Sequence, residues 1–338
     1  MTVTLEEPQT PAADAETYRP LKASIGLTDR AFRGLSRTGG MAVLAIMSLV
    51  GVFLATRAVD ALSQAGWSFV TTETWEPDGG HFGVKAVLIG TLLVGAVAII
   101  VAIPLALGGA LYISEYAPRW LKPTLISVVD LMAAVPSVVY GLWGVFFLQA
   151  HAASVARWIS TYFGWIPPFH VDADPHDPLT SASVYTSSTF IAGLVVALMV
   201  MPITCSVMRE AFSQAPIGER EGAYALGATR WGMIRIVVLP FGRGGIIGGT
   251  MLGLGRALGE TIAVFMILSL IFKVQPHILE SGGSTISALI ALRHGEATDF
   301  GMSALMAAGF TLFLVTLVVN FFASAMMARS RSGAASEV

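Results

Sequence analysis

The chain has 338 residues, 12% of them charged and 54% hydrophobic, and a formal net charge of −2. That charged fraction is about half that of an ordinary soluble domain, too small to cover a water-facing surface, and the mean hydropathy of +0.71 places the chain in a membrane. No basic stripe or aromatic-interleaved basic patch is present, which argues against a nucleic-acid partner; the single cysteine, Cys205, lies in an apolar run and permits neither an internal disulfide nor a CxxC-type metal site.

In chain order, residues 1–38 open with an acidic, Thr/Pro/Ala-rich stretch without helical periodicity, expected to be a largely disordered tail. It is far longer than the short basic start of a cleavable export signal, so the first apolar run is expected to stay as a membrane anchor. Between consecutive ionisable residues, apolar runs occupy 38–56, 86–114, 131–150, 178–208 and 300–328. Each is close to the ~20 residues that carry a helix across a ~30 Å hydrocarbon layer. A sixth run, 244–272, is as long but contains Arg256 and Glu260. The reading is an all-α polytopic membrane protein with six transmembrane helices over residues 39–328 and a short tail at 329–338. Pro104 and Pro202 predict kinks in the second and fourth helices. The glycine clusters at 108–110 and 244–249 predict close helix approach.

Cations are retained on the cytoplasmic side during insertion. Arg19, Lys22, Arg30, Arg33 and Arg37 precede the first helix, Arg119 and Lys122 follow the second, Arg209, Arg220, Arg230, Arg235 and Arg243 separate the fourth and fifth, and Arg329 and Arg331 close the chain. The alternate loops lean acidic, so both termini are expected in the cytoplasm and an outer loop at about 151–186 outside. Its segment HVDADPHD, 170–177, has no fixed ligand spacing and reads as a solvated loop touching a partner protein; no metal is expected. Asp130 is expected to cap the third helix or pair with Lys122.

The segment at about 209–243 is too polar to span and too regular to be slack. Helical propensity over 219–226, an interruption at Gly227 and renewed propensity over 229–238 describe two short helices meeting at a glycine. Glu219, Arg220 and Glu221 are placed to fix a partner's orientation. Arg256 and Glu260 are four residues apart, hence one helical turn apart on one face. They are expected to pair until an anion competes for the guanidinium; a buried pair that only steadies the bundle is the other reading. There is no G-x-x-x-x-G-K-[ST], so the chain does not cradle ATP phosphates in the usual way.

The run EGAYALGATRWGMIRIVVLP resembles the EAA coupling loop of ABC importer permeases, matching at Glu221, Ala223, Gly227, Leu239 and Pro240 and departing at Gly222, where alanine is usual, and at Val237. SEYAP at 114–118, PSVVYG at 136–141 and GLGRALGET at 253–261 extend the resemblance to phosphate-specific permeases of the PstC type. The resemblance implies a type I importer permease (MetI-like) fold, with the coupling loop seated in a groove of a cytoplasmic ATPase and Arg256 and Glu260 serving anion passage. It also implies a second, PstA-like permease, two PstB-like ATPases that hold ATP and Mg, and an extracytoplasmic PstS-like phosphate-binding protein, in the bacterial plasma membrane. The partner permease, a sulfate or molybdate permease, an ion-coupled secondary anion carrier and a membrane enzyme remain as alternatives, the last two disfavoured by the coupling loop.

Overall fold

A computed structural model describes residues 26–173 and 181–331; most of the expected N-terminal tail, part of the 170–177 segment and the last seven residues lie outside the described residues. The chain divides into two units, Met1–Val50 and Gly51–Val338. In the first, the described residues are one exposed stretch of helix, the start of α1 (Leu27–Ala65). This helix begins well before residue 39: Arg30, Arg33 and Arg37 recur at helical spacing, so their polarity reflects the edge of the apolar run and not the start of the helix.

The second unit contains the remainder of α1, then α2 (Lys85–Leu111), α3 (Lys122–Ala134), α4 (Ser137–Trp143), α5 (Gln149–Phe163), α6 (Thr189–Ser213), α7 (Ile217–Ala225), α8 (Arg230–Met233), α9 (Arg243–Gly259), α10 (Ile262–Ile267), α11 (Ile286–Arg293) and α12 (Asp299–Arg331). A two-stranded hairpin, β1 (Trp75–Glu76) and β2 (His81–Phe82), precedes α2. Among the described residues, five helices are long and apolar enough to cross a membrane, and a pair bent by 66°, Arg230–Phe241 with Arg243–Gly259, makes six. Pro104 and Pro202 both sit inside helices that continue past them.

Two runs differ from their sequence reading. The third does not begin at Leu131: Pro136 holds Val135 extended, with ψ 129°, which ends α3. The spanning stretch is Ser137–Phe163, continuous through a π-bulge at Gly144–Leu148, so the expected outer loop is helical as far as residue 163. Tyr140 of PSVVYG donates its hydroxyl to the Met132 carbonyl across the break at 2.9 Å. The run 244–272 breaks at Glu260, whose ψ of 126° is extended, and leaves the helix again after Ile267. Asp130 does not pair with Lys122; it accepts from Ser206 Oγ on α6 at 3.0 Å.

The centre is α2 and α6, with α9 laid along α6. Gly245, Gly249 and Gly253 repeat every four residues, so they line one face of α9. A Cβ on Gly245 would lie 2.1 Å from Ala211 Cβ, and one on Gly253 2.7 Å from both Thr204 and Val200. Without a hydrophobic drive between helices in lipid, such backbone approach is what lets van der Waals packing hold them. Beyond α10, the chain turns through Gly282 and Gly283, φ 107° and 127°, and presses the Ser284 carbonyl against α2 where Gly90 has no side chain.

Gly245→Ala is therefore expected to cost about 1–3 kcal/mol and lower the melting temperature in detergent. Gly244→Ala, whose added methyl meets nothing within 4 Å, should be neutral or stabilising by up to ~1 kcal/mol. In the loop before α2, Glu73 accepts from Lys85 Nζ at 2.8 Å and from the Val274 amide at 3.3 Å. The Lys85 hydrogen bond, chiefly, holds its carboxyl below the ordinary carboxylate range. That contribution is complete above the ordinary carboxylate pKa and is lost as the pH falls through the lowered value. Glu73→Gln should flatten the acid limb of a melting-temperature profile against pH.

Candidate functional site: the coupling elbow and an intramembrane arginine

At the C-terminal end of α6 the chain makes the two-helix elbow expected from the sequence. Helix α7 stops in a Schellman motif. The Ala228 amide donates to the Ala223 carbonyl at 3.0 Å and the Gly227 amide to the Tyr224 carbonyl at 2.9 Å, with Gly227 left-handed at φ 83°. Two residues later Thr229 caps α8, its Oγ accepting from the Gly232 amide at 3.2 Å. A π-bulge over Ile234–Val238 then carries the chain to Leu239 and Pro240. Met233, Ile234, Val237 and Val238 are buried against Met208 and Phe212 of α6 and Ala106 and Ala110 of α2. Ala223 and Leu239 pack at the edge of the same cluster, while Glu219, Glu221, Gly222 and Pro240 remain exposed. Gly222, the departure from the usual alanine, has open space where a Cβ would stand.

Arg220 does not share the outward face of its neighbours. Its guanidinium turns into the bundle, with Nη1 donating to Glu115 Oε2 at 3.0 Å and Nη2 to the Phe212 carbonyl at 2.6 Å. The Glu115 side chain is only 4% exposed. Glu115 belongs to SEYAP, in a π-bulge at Tyr112–Tyr116 that ends the second span; the next residue, Tyr116, carries the Arg230 guanidinium 5.3 Å from its ring centroid. One short motif at the end of α2 thus grips both halves of the elbow. Ser114 Oγ, Glu115 Oε1 and Arg220 Nε are buried beside the ion pair without a partner, a half-satisfied pocket in a low dielectric. The sequence reading missed Glu115; its signal was a carboxylate at the end of a span, inside a motif whose partner lies 105 residues away.

Arg256 and Glu260 are not one helical turn apart, because α9 ends between them, and they form no ion pair among the described residues. Glu260 is 9% exposed. Its Oε1 accepts from the Ala263 amide at 3.3 Å, closing the first turn of α10, while its carbonyl accepts from Ser287 Oγ at 2.7 Å. Arg256 lies off the glycine stripe, in the last turn of α9, where the negative end of the helix favours a cation. It borders a cavity of about 390 Å³ with Ile203, Met251, Leu252, Gly255 and Asn320. Among the described residues no carboxylate lies within ion-pair distance of Arg256, and an intramembrane charge in that position is a candidate site for an anion.

Arg220→Met is expected to strand Glu115 in its buried position, at about 3–5 kcal/mol, and to speed amide hydrogen exchange across 217–241. Glu221→Lys, on the exposed face, should leave that exchange unchanged; equal protection in both variants would remove the Glu115 contact from the fold of the elbow.

Residues 98–332 match the family described as binding-protein-dependent transport system inner membrane component. Phosphate transport system permease protein PstC 2 of Mycobacterium tuberculosis is 36% identical over 326 residues, covering 95% of this chain and 97% of its own length. PstC of Xylella fastidiosa is 38% identical over 270 residues, 80% of this chain and 81% of its own. In fold, the chain is similar to a solved bacterial ABC transporter involved in the import of the acidic polysaccharide alginate, at TM-score 0.53 and 21% identity over 89% of this chain and 99% of that one. With up to six candidate spans and the family match over residues 98–332, the chain belongs to the binding-protein-dependent inner membrane components, the permeases of ABC importers.

Proposed function

We propose that this chain forms half of the translocation pathway of an ATP-driven phosphate importer in the bacterial plasma membrane. A second, PstA-like permease completes the pathway, two PstB-like ATPases hold ATP and Mg, and a PstS-like protein delivers phosphate from outside. The chain itself is a non-catalytic subunit, with both termini on the ATPase side. The phosphate specificity is supported by the PstC relatives, alike over most of the chain. The observation that carries the pathway is Arg256, without an ion-pair partner among the described residues and on the open face of a helix whose other face is closed by glycine contacts.

A guanidinium fork suits a tetrahedral oxyanion through paired hydrogen bonds. In this reading Arg256 binds phosphate in passing, and Glu260 holds the break that ends α9 beside it. The exposed face of α7, with Glu219, Glu221 and Gly222, is the surface offered to the ATPase; Ala223, Gly227, Leu239 and Pro240 shape the elbow behind it. Arg220 supports that surface from within. A push on the elbow reaches α9 along the chain itself, because Arg230–Phe241 runs into Arg243–Gly259 through the 66° bend.

The test is uptake of radiolabelled phosphate by proteoliposomes holding the complete complex, with sulfate and molybdate as competitors. A charge-assisted hydrogen bond is worth about 1.5–3 kcal/mol, so Arg256→Gln should slow uptake by about 10- to 100-fold with subunit levels unchanged. Unaltered uptake would take Arg256 out of the pathway, competition by sulfate or molybdate would reassign the substrate, and uptake without ATPase would make the chain an ion-coupled carrier. Glu221→Lys should lower ATPase co-purification; full retention with normal transport would overturn the docking assignment.

A further inference from the structure

At the end of the bundle opposite the elbow, the fold brings together four side chains from two distant loops. Helix α6 runs about 37 Å at 1.5 Å per residue over its 25 residues, with the elbow after its C-terminus and these loops around its N-terminus. His170 and Asp172 follow α5, and His277 and Glu280 follow α10. His277 Nδ1 lies 3.3 Å from Glu280 Oε2 and 3.9 Å from Asp172 Oδ1, and His170 Nε2 lies 3.7 Å from Asp172 Oδ1. The ligand atoms of Asp172, His277 and Glu280 all fall within 4.8 Å of one another. Donors around a tetrahedral ion with bonds of about 2.0–2.1 Å sit about 3.4 Å apart; the His277–Glu280 pair already stands at that spacing, and closing the rest asks Asp172 to move inward by up to about 1.4 Å. The exposed Asp172 side chain is free to do so.

The scaffold beneath is fixed. Val171, Ile278 and Leu279 are buried with Tyr185 and Ala156. The Ile278 amide donates to the Pro168 carbonyl at 2.9 Å, and the Phe190 amide to the Ile278 carbonyl at 2.8 Å. The two loops are therefore pinned to each other and to the head of α6 next to the four side chains. His170 Nδ1 lies 3.4 Å from the Gly164 carbonyl; a proton held there leaves the Nε2 lone pair free toward Asp172, as metal-ligating histidines require. A cavity of about 170 Å³, bordered by Asp172, Glu280 and also Lys273, opens beside the cluster and gives a route for entry.

We propose that Asp172, His277 and Glu280 form a binding site for a divalent transition metal, with His170, within reach of Asp172, as the outlying fourth ligand and Zn²⁺ the best match. Imidazole nitrogens select zinc over magnesium or calcium, which take oxygen ligands, and two carboxylates neutralise the ion. The inference is independent of the transported substrate. Occupancy ties the loop after α5 to the segment that continues from Glu280 to Ser287, whose hydroxyl holds the Glu260 carbonyl at the break after α9.

The test uses the full chain purified in detergent through a tag without histidine, loaded with Zn²⁺ and dialysed. One zinc per chain by elemental analysis is expected, with a rise in melting temperature that a chelator reverses and with tetrahedral d–d absorption on Co²⁺ substitution. His277→Ala and Asp172→Asn should each weaken zinc by at least about ten-fold, while His294→Ala, outside the cluster, should not. Asp172→Asn changes an exposed side chain and separates loss of the ion from loss of the fold. Absence of zinc from the wild type, or wild-type zinc content in both cluster variants, would overturn the site.

Discussion

Inside a hydrocarbon layer there is no water to receive a backbone group that leaves its helix, so every interruption must be answered by the protein itself. The chain interrupts its apolar runs at Val135, at Glu260 and again after Ile267. The Tyr140 hydroxyl serves the first, reaching the Met132 carbonyl. At the second, the Glu260 carboxylate takes the Ala263 amide and Ser287 takes the Glu260 carbonyl. Where the chain re-enters as α11, Thr91 of α2 accepts from the Ile286 amide at 3.0 Å. These side chains belong to different helices, so the breaks bind the bundle together. They also explain two glycines of the PSVVYG region: a Cβ on Gly141 would stand 3.0 Å from Ala263 and one on Gly144 2.7 Å from Val195. A side chain at Gly141 would press α10 away from α4, and one at Gly144 would press on α6 and on Ile267 of α10.

The same economy of side chains governs the elbow. Its turn is specified locally, by a left-handed glycine and a threonine cap, while its seat is specified by Glu115 and Tyr116 at the end of α2. Local geometry therefore sets the angle between α7 and α8, and long-range contacts set where the pair rests. The buried Glu115–Arg220 pair adds a charge-dependent link whose neighbours are only partly satisfied. Such a link favours one arrangement through charge and packing together.

Much of this was legible in the sequence. Gaps between ionisable residues located the spans, and glycine with flanking helical propensity located the elbow, because both are local signals. Pro136 carried its own warning, since proline disfavours helix in the residue before it. What could not be read was pairing across distance and continuity of helix. The Arg256–Glu260 pair assumed one unbroken turn, and nothing in GLGRALGET distinguishes a glycine that packs from one that ends a helix. Arg220 was grouped with Glu219 and Glu221 by adjacency, although a helix points successive residues about 100° apart. His170 and Asp172 could not be grouped with His277 and Glu280 from the sequence, because a loop about a hundred residues away supplies the latter two.

The 66° bend at Gly242 has a mechanical corollary. A side chain there would collide with the Phe212 ring, 2.4 Å from its Cβ position, so the backbone rests directly on an aromatic plate of α6. On one side of this fulcrum lie the residues of Arg230–Phe241 and on the other those of Arg243–Gly259, arms of roughly 18 and 25 Å at 1.5 Å per residue. Rotation about that point carries the far tip, one turn beyond Arg256, roughly 1.4 times as far as the near one.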